Sequence, residues 1–134
     1  MWAERLKSEY LEINQYIRGL FTVGMAWYTF FITANITAVT FFIMNYEKMA
    51  ARPFFHSALV GLFLFVNTLG VGSCLLAARF LMDAKSQIEK ISISQNDNGQ
   101  MYTTRFPVLF SIFAILMAVS IIGVSVIWIF LLVV

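Results

Sequence analysis

Three stretches of the chain are almost entirely apolar, and each is long enough to cross a membrane as a helix. They cover residues 19–45, 54–80 and 106–134. A helix rises about 1.5 Å per residue, so each stretch can span the roughly 30 Å hydrocarbon core of a bilayer. Backbone amides find no water in lipid, and a helix satisfies them within the segment. The pattern therefore predicts an all-α integral membrane bundle with three transmembrane helices.

Residues 1–18 have the periodicity of an amphipathic helix. The apolar positions recur at three- and four-residue steps and are Trp2, Leu6, Tyr10, Ile13 and Ile17. The polar face is balanced between cations and anions, whereas helices that bind anionic lipid are richer in Lys and Arg. This balance favours packing against other protein, and a position flat on the membrane surface stays open.

Helical periodicity continues beyond the second apolar stretch. Its apolar and small residues step by four, three, four and three, and they are Ala77, Leu81, Ala84, Ile88 and Ile91. This spacing is typical of a coiled-coil seam. The second helix is therefore predicted to project from the bilayer as a cytoplasmic extension over residues 81–94. Residues 94–99 predict a loop, and the whole of 1–134 is expected to form a single membrane domain.

The distribution of Lys and Arg predicts the orientation. Of the nine cationic residues, only Lys48 and Arg52 lie in the connection between the first and second spans, and the other seven lie on the opposite side. Positively charged flanks remain in the cytoplasm. We therefore expect a cytoplasmic N-terminus and an outer C-terminus, and the resemblance described below implies a bacterial inner membrane.

Composition supports a membrane protein and argues against catalysis, proton coupling and metal binding. The chain is 60% hydrophobic and 12% charged, with a mean hydropathy of +0.82, whereas soluble domains have about 25% charged residues. No carboxylate or amine lies at mid-bilayer, which argues against a proton-coupled transporter. Cys74 and His56 are the single cysteine and histidine, too few for a disulfide or a metal site. We expect no enzyme activity, metal or cofactor.

Five threonines share one face of the first span. At 100° per residue they fall within an arc of roughly 80°. They are Thr22, Thr29, Thr33, Thr37 and Thr40. Two interpretations stay open: the face lines a water-filled path in an oligomeric pore, or the hydroxyls bond to their own backbone or to neighbouring helices.

Polar and small residues in the spans predict how the helices pack. An amide in hydrocarbon needs a partner, so we expect Asn35 to bond in the protein interior, with Asn67 as a candidate partner. Small residues let helices approach closely, within the chain or between copies. Two such strips occur, formed by Asn67, Gly70, Cys74 and Ala77 on the second helix and by Ser111, Ala114, Ala118 and Ser125 on the third.

The cytoplasmic side offers one candidate regulatory site. A symmetric oligomer would gather copies of Lys85, Lys90 and Arg105 into a ring that could bind an anion. In a single chain, six anions on the same side offset the seven cations, which favours a solvated surface that pairs its own charges.

The order of these elements resembles small bacterial membrane effectors of anti-phage defence, namely the SLATT-type effectors and the membrane effector of the Hailong system. The shared traits are the N-terminal helix at 2–18, the long uncharged spans at 19–45 and 54–80, and the helical extension at 81–91. The resemblance covers overall layout, so no site residue is carried over. It implies an oligomeric channel controlled at its cytoplasmic mouth by a nucleotide or oligonucleotide.

Two functions follow as expectations. The first is a homo-oligomeric membrane effector, in contact with lipid, that forms an ion channel or a membrane-disrupting pore under control from the cytoplasm. The alternative is a non-catalytic accessory subunit, in which the small-residue strips contact the helices of a larger membrane complex.

Overall fold

The computed structural model describes residues 2–94 and 105–134. Four helices form this part of the chain: α1 (Trp2–Met44), α2 (Tyr46–Ala50), α3 (Pro53–Ser94) and α4 (Arg105–Val133). The all-α class is confirmed, and α1, α3 and α4 are long and apolar enough to cross a membrane. The predicted loop at 94–99 lies outside the described residues, apart from Ser94 at the end of α3.

Two of the long helices exceed the third in length. α1 has 43 residues and contains both the predicted amphipathic segment and the predicted first span without a break. α3 has 42 residues and continues through the predicted extension. At about 1.5 Å per residue these helices are roughly 63–65 Å long, against about 43 Å for the 29 residues of α4.

The three long helices alternate in direction. Phe63 of α3 stacks on Trp128 of α4, and Gly70 of α3 lies against Ile121 of α4. Seven residues forward along α3, from Phe63 to Gly70, correspond to seven residues backward along α4, from Trp128 to Ile121. The two helices are therefore antiparallel. Asn35 of α1 bonds to Trp128, and earlier residues of α1 meet earlier residues of α4, so α1 and α4 are parallel.

The α3–α4 pair is the most closely packed part of the bundle. The buried residues of α4 recur at steps of three, four or seven positions and are Pro107, Ser111, Ala114, Ala118, Ile121, Trp128 and Leu131. This spacing is that of a coiled-coil seam. The small side chains in the middle of the seam let the two backbones approach, which is how helices gain contact when both are surrounded by apolar lipid.

A cluster at one end of the bundle joins all three long helices. Ile17 of α1 packs with Leu81 and Ala84 of α3, and Ile13 and Phe110 cover them. We call this the N-terminal end, because the N-terminus of α1 lies there. The apolar stripe of residues 1–18 thus meets the seam of residues 81–94. Farther along α3, Ile88 and Ile91 are also buried.

A second cluster closes the opposite end, which we call the α2 end. Phe42, Val60, Trp128, Leu131 and Met49 of α2 form its buried centre. The turn between α1 and α3 is short because α1 ends at Met44 and Pro53 begins α3, a position where the missing N–H of proline costs nothing. The hydroxyl of Tyr46 donates to the carbonyl of Val134, so the end of α4 reaches this turn.

Candidate functional site

The threonine face of α1 lies on the outside of the bundle, and its Thr33 and Thr37 border a groove that Phe55 and Leu59 of α3 also line. All five threonines are exposed, whereas Asn35 and Phe42, on the opposite side of the same helix, are buried. Four of the hydroxyls donate to the backbone carbonyl four residues earlier at 2.8–3.0 Å, and these belong to Thr22, Thr29, Thr33 and Thr40. Each hydroxyl has one hydrogen and two lone pairs. The outward surface of these four therefore consists of acceptor oxygens whose donors are already used.

A strip of small residues on α3 also faces outward, and the sequence analysis missed it. Its members are Ser57, Gly61, Thr68 and Gly72, which are all exposed. A side chain at Gly61 or Gly72 would meet nothing within 4 Å. The steps of four, seven and four residues place the strip on one helix face. The small-xxx-small spacing of Ser57 with Gly61 and of Thr68 with Gly72 was the available signal.

The small-residue strips that the sequence predicted lie inside the chain. Ser111, Ala114 and Ala118 are buried, and Ser125 is half-buried. On α3, Asn67 is buried, while Gly70, Cys74 and Ala77 are half-buried. A Cβ at Gly70 would lie 2.9 Å from the ring of Phe31 and 3.4 Å from Ile121. Gly70 therefore gives both α1 and α4 their close approach to α3.

Asn35 holds α1 to α4 rather than to α3. Its Oδ1 accepts a hydrogen bond of 2.9 Å from the indole Nε1 of Trp128, and its Nδ2 donates to the carbonyl of Phe31 at 2.9 Å. Asn67, the candidate partner, is not the residue that Asn35 meets, because the indole of Trp128 reaches across from α4 and donates to Oδ1. Asn67 is fully buried, and neither of its amide atoms has a hydrogen-bond partner among residues 2–94 and 105–134.

The three cations proposed for an anion site differ in their surroundings. Lys85 is half-buried, and its amine lies 3.5 Å from the carboxylate of Glu89 one turn away. Lys90 and Arg105 are exposed. The pairing of Lys85 with Glu89 reduces the net charge available to an anion in one chain. Within the described ranges, no group of three or more His, Cys, Asp or Glu side chains could hold a metal ion.

Comparison with known proteins gives no further identification. No protein family, no curated protein and no solved structure matches the chain.

Proposed function

We propose that this protein is a homo-oligomeric membrane effector whose α1 helices line an ion channel. The observation that carries the proposal is the position of the threonine face: all five hydroxyl side chains lie on the outside of the three-helix bundle. Lipid-facing helix surfaces gain nothing from hydroxyls, whereas a channel wall needs polar groups that can replace water around an ion.

The interior of one chain supports a path between copies rather than through the bundle. Phe42, Val60 and Trp128 are fully buried and fill the centre of the α2 end. An ion would have to displace these close-packed side chains to pass through a single bundle. An assembly that brings several α1 helices together instead places the threonines around a shared axis and leaves each bundle intact.

The hydrogen bonding of the threonines favours cations. The hydroxyl hydrogens of Thr22, Thr29, Thr33 and Thr40 point to their own backbone, so their oxygens present lone pairs to the axis. Oxygen acceptors substitute for the hydration shell of a cation and repel an anion. We therefore expect K⁺ and Na⁺ to pass in preference to Cl⁻.

The outward strip on α3 supports assembly, and the N-terminal end supports regulation. Gly61 and Gly72 have open space beside them, so a neighbouring helix can approach there closely. In this proposal the N-terminal end faces the cytoplasm, where a ring of Lys85, Lys90 and Arg105 would bind a nucleotide or oligonucleotide. The resemblance in layout to anti-phage membrane effectors favours such a controlled channel over one that is always open.

The decisive experiment measures oligomer mass and ion flux for the same samples. Full-length protein is purified in detergent, and the mass of its oligomer is measured. The same protein is then reconstituted in liposomes loaded with K⁺, and the release of K⁺ is followed. The test variant is Thr29→Val, Thr33→Val and Thr37→Val combined. The matched control is Ser73→Ala, because Ser73 is also exposed and also donates its hydroxyl to the carbonyl four residues earlier, but lies on α3 outside the outward strip.

The proposal expects a defined oligomer, a K⁺ flux, and a loss of flux in the triple variant with the oligomer retained. We expect the triple variant to conduct about tenfold less, which corresponds to a barrier raised by about 1.4 kcal/mol. Ser73→Ala should conduct like the wild type. A monomer that does not leak, or a triple variant that conducts like the control, would refute the channel. Purification from its source with stoichiometric partner subunits would support the accessory-subunit alternative.

A further inference from the structure

An apolar groove runs between α1 on one side and α3 and α4 on the other. Its volume is about 580 Å³, within the range of roughly 300–1,000 Å³ found for ligand sites. Its walls are residues 20–31 of α1, 66–81 of α3 and 110–121 of α4. The cluster around Ile17 and Leu81 closes the bundle at one end of the groove, and the cluster around Phe42 and Trp128 closes it at the α2 end.

The length of the groove matches one leaflet of a bilayer. At about 1.5 Å per residue its walls extend roughly 17 Å along α1 and α4 and roughly 23 Å along α3. Half of the hydrocarbon core is about 15 Å thick. The groove occupies the half of α4 that lies toward the N-terminal end. A membrane-spanning helix of a second copy would continue past the groove, whereas the acyl chain of one lipid ends within it.

The lining favours an occupant without hydrogen-bonding groups. The walls are aliphatic and aromatic, and the hydroxyl side chains among them already have partners. The hydroxyl of Tyr28 is 2.6 Å from that of Ser120, which in turn donates to the carbonyl of Met117. The hydroxyl of Ser73 donates to the carbonyl of Leu69 at 2.9 Å. A hydrocarbon chain leaves all of these bonds in place.

The nearest cation before the groove on α1 is Arg18, which is separated from the groove wall by one aromatic ring. Arg18 precedes the first lining residue, Leu20, by two positions, and its guanidinium lies 5.3 Å from the ring centre of Phe106. The ring of Phe106 in turn contacts that of Phe110, which is part of the groove wall. Arg18 is exposed and forms no ion pair with another residue of the two described ranges. Its fork of N–H donors fits the oxygens of a phosphate.

We propose that the groove binds one acyl chain of an anionic phospholipid from the leaflet at the N-terminal end, with the lipid phosphate on Arg18. The apolar walls hold the chain, and the guanidinium selects the charge of the headgroup. The site belongs to a single chain and does not depend on the channel.

The test separates the chain-binding part of the site from its headgroup part. Full-length protein is reconstituted in nanodiscs of phosphatidylcholine and phosphatidylglycerol, released gently, and weighed by native mass spectrometry to count retained lipids of each class. Gly24→Leu fills the groove, because Gly24 lines it and has open space for a side chain. Gly123→Leu is the matched control, since Gly123 is an equally open glycine outside the groove.

The wild type and Gly123→Leu should retain one phosphatidylglycerol per chain, and Gly24→Leu should lose it. Arg18→Gln should keep a lipid but retain phosphatidylcholine and phosphatidylglycerol alike, whereas Arg52→Gln at the α2 end should keep the wild-type preference. Equal retention of both lipids by the wild type would overturn the proposal, as would retention by Gly24→Leu. Oxidative cross-linking of Cys74 between copies would also overturn it, because that thiol lines the groove and would then face a second chain.

Discussion

The hydrogen bond between Asn35 and Trp128 should be a measurable part of the energy that holds α1 to α4. Asn35 is 2% exposed and Trp128 is fully buried. When one polar group is removed, the other therefore cannot form a replacement hydrogen bond with water. Trp128 also stacks on Phe63, with ring centres 4.5 Å apart, and meets Phe42 edge-on. The substitution Trp128→Phe keeps most of these ring contacts and removes the N–H.

The magnitude follows from the two consequences of that change. A hydrogen bond between membrane helices contributes about 0.6 kcal/mol on average and up to about 1.7 kcal/mol. A buried polar atom left without a partner costs about 1–3 kcal/mol. We therefore expect Trp128→Phe and Asn35→Leu each to lower the free energy of unfolding by about 1–3 kcal/mol. The double variant should be less unstable than the sum of the two by roughly 0.6–1.7 kcal/mol.

The assay is unfolding in mixed micelles as the mole fraction of SDS rises, followed by circular dichroism. Trp27→Phe is the matched control, because this tryptophan is 67% exposed and should change stability by less than about 0.5 kcal/mol. Additivity of the two single variants within about 0.3 kcal/mol would refute the reasoning, since it would mean that the two side chains do not interact.

Three further substitutions test other buried contacts by the same unfolding measurement. Asn67→Leu should be neutral or stabilising by up to about 2 kcal/mol, because it removes a buried amide that has no partner; a clear loss of stability would contradict this. Gly70→Ala should be less stable than Gly123→Ala by up to about 1 kcal/mol, because the new Cβ displaces the ring tip of Phe31, whereas Gly123 lies in open space; equal stability of the two variants would contradict this. Tyr28→Phe should cost about 0.5–1.5 kcal/mol through the lost bond to the serine of α4, and no change would show that this bond contributes nothing.

Hydrophobic length and periodicity were sufficient to predict the fold class. The three apolar stretches fall on α1, α3 and α4, although α1 begins well before its stretch and α3 ends well after its own. A membrane helix must satisfy its backbone internally whatever its neighbours do. The seam positions Leu81, Ala84, Ile88 and Ile91 are buried as their spacing suggests. Helix formation and the burial of one helix face both depend on the spacing of nearby residues, so both can be predicted from the sequence pattern.

Partner choice between helices was harder to predict. The sequence places Asn35 and Asn67 near the middle of their spans, but it does not show toward which neighbouring helix each of these side chains is turned. An indole from α4 satisfied Asn35 instead. The groove along residues 20–31 of α1 has no local signature either, since the same apolar residues would serve in a closed interface. The outward strip on α3 did have a signature, in the spacing of its glycines.

The unbroken course of α1 has a mechanical consequence. Among the described residues, α1 runs from Trp2 to Met44 without interruption, so the segment ahead of the first apolar stretch and the threonine face belong to one stiff rod. A force that tilts or turns the tip of this rod must rotate the hydroxyl-bearing side as well, because no joint absorbs the motion. A partner that binds the first turns of α1 can therefore move the threonine face, which lies farther along the same helix.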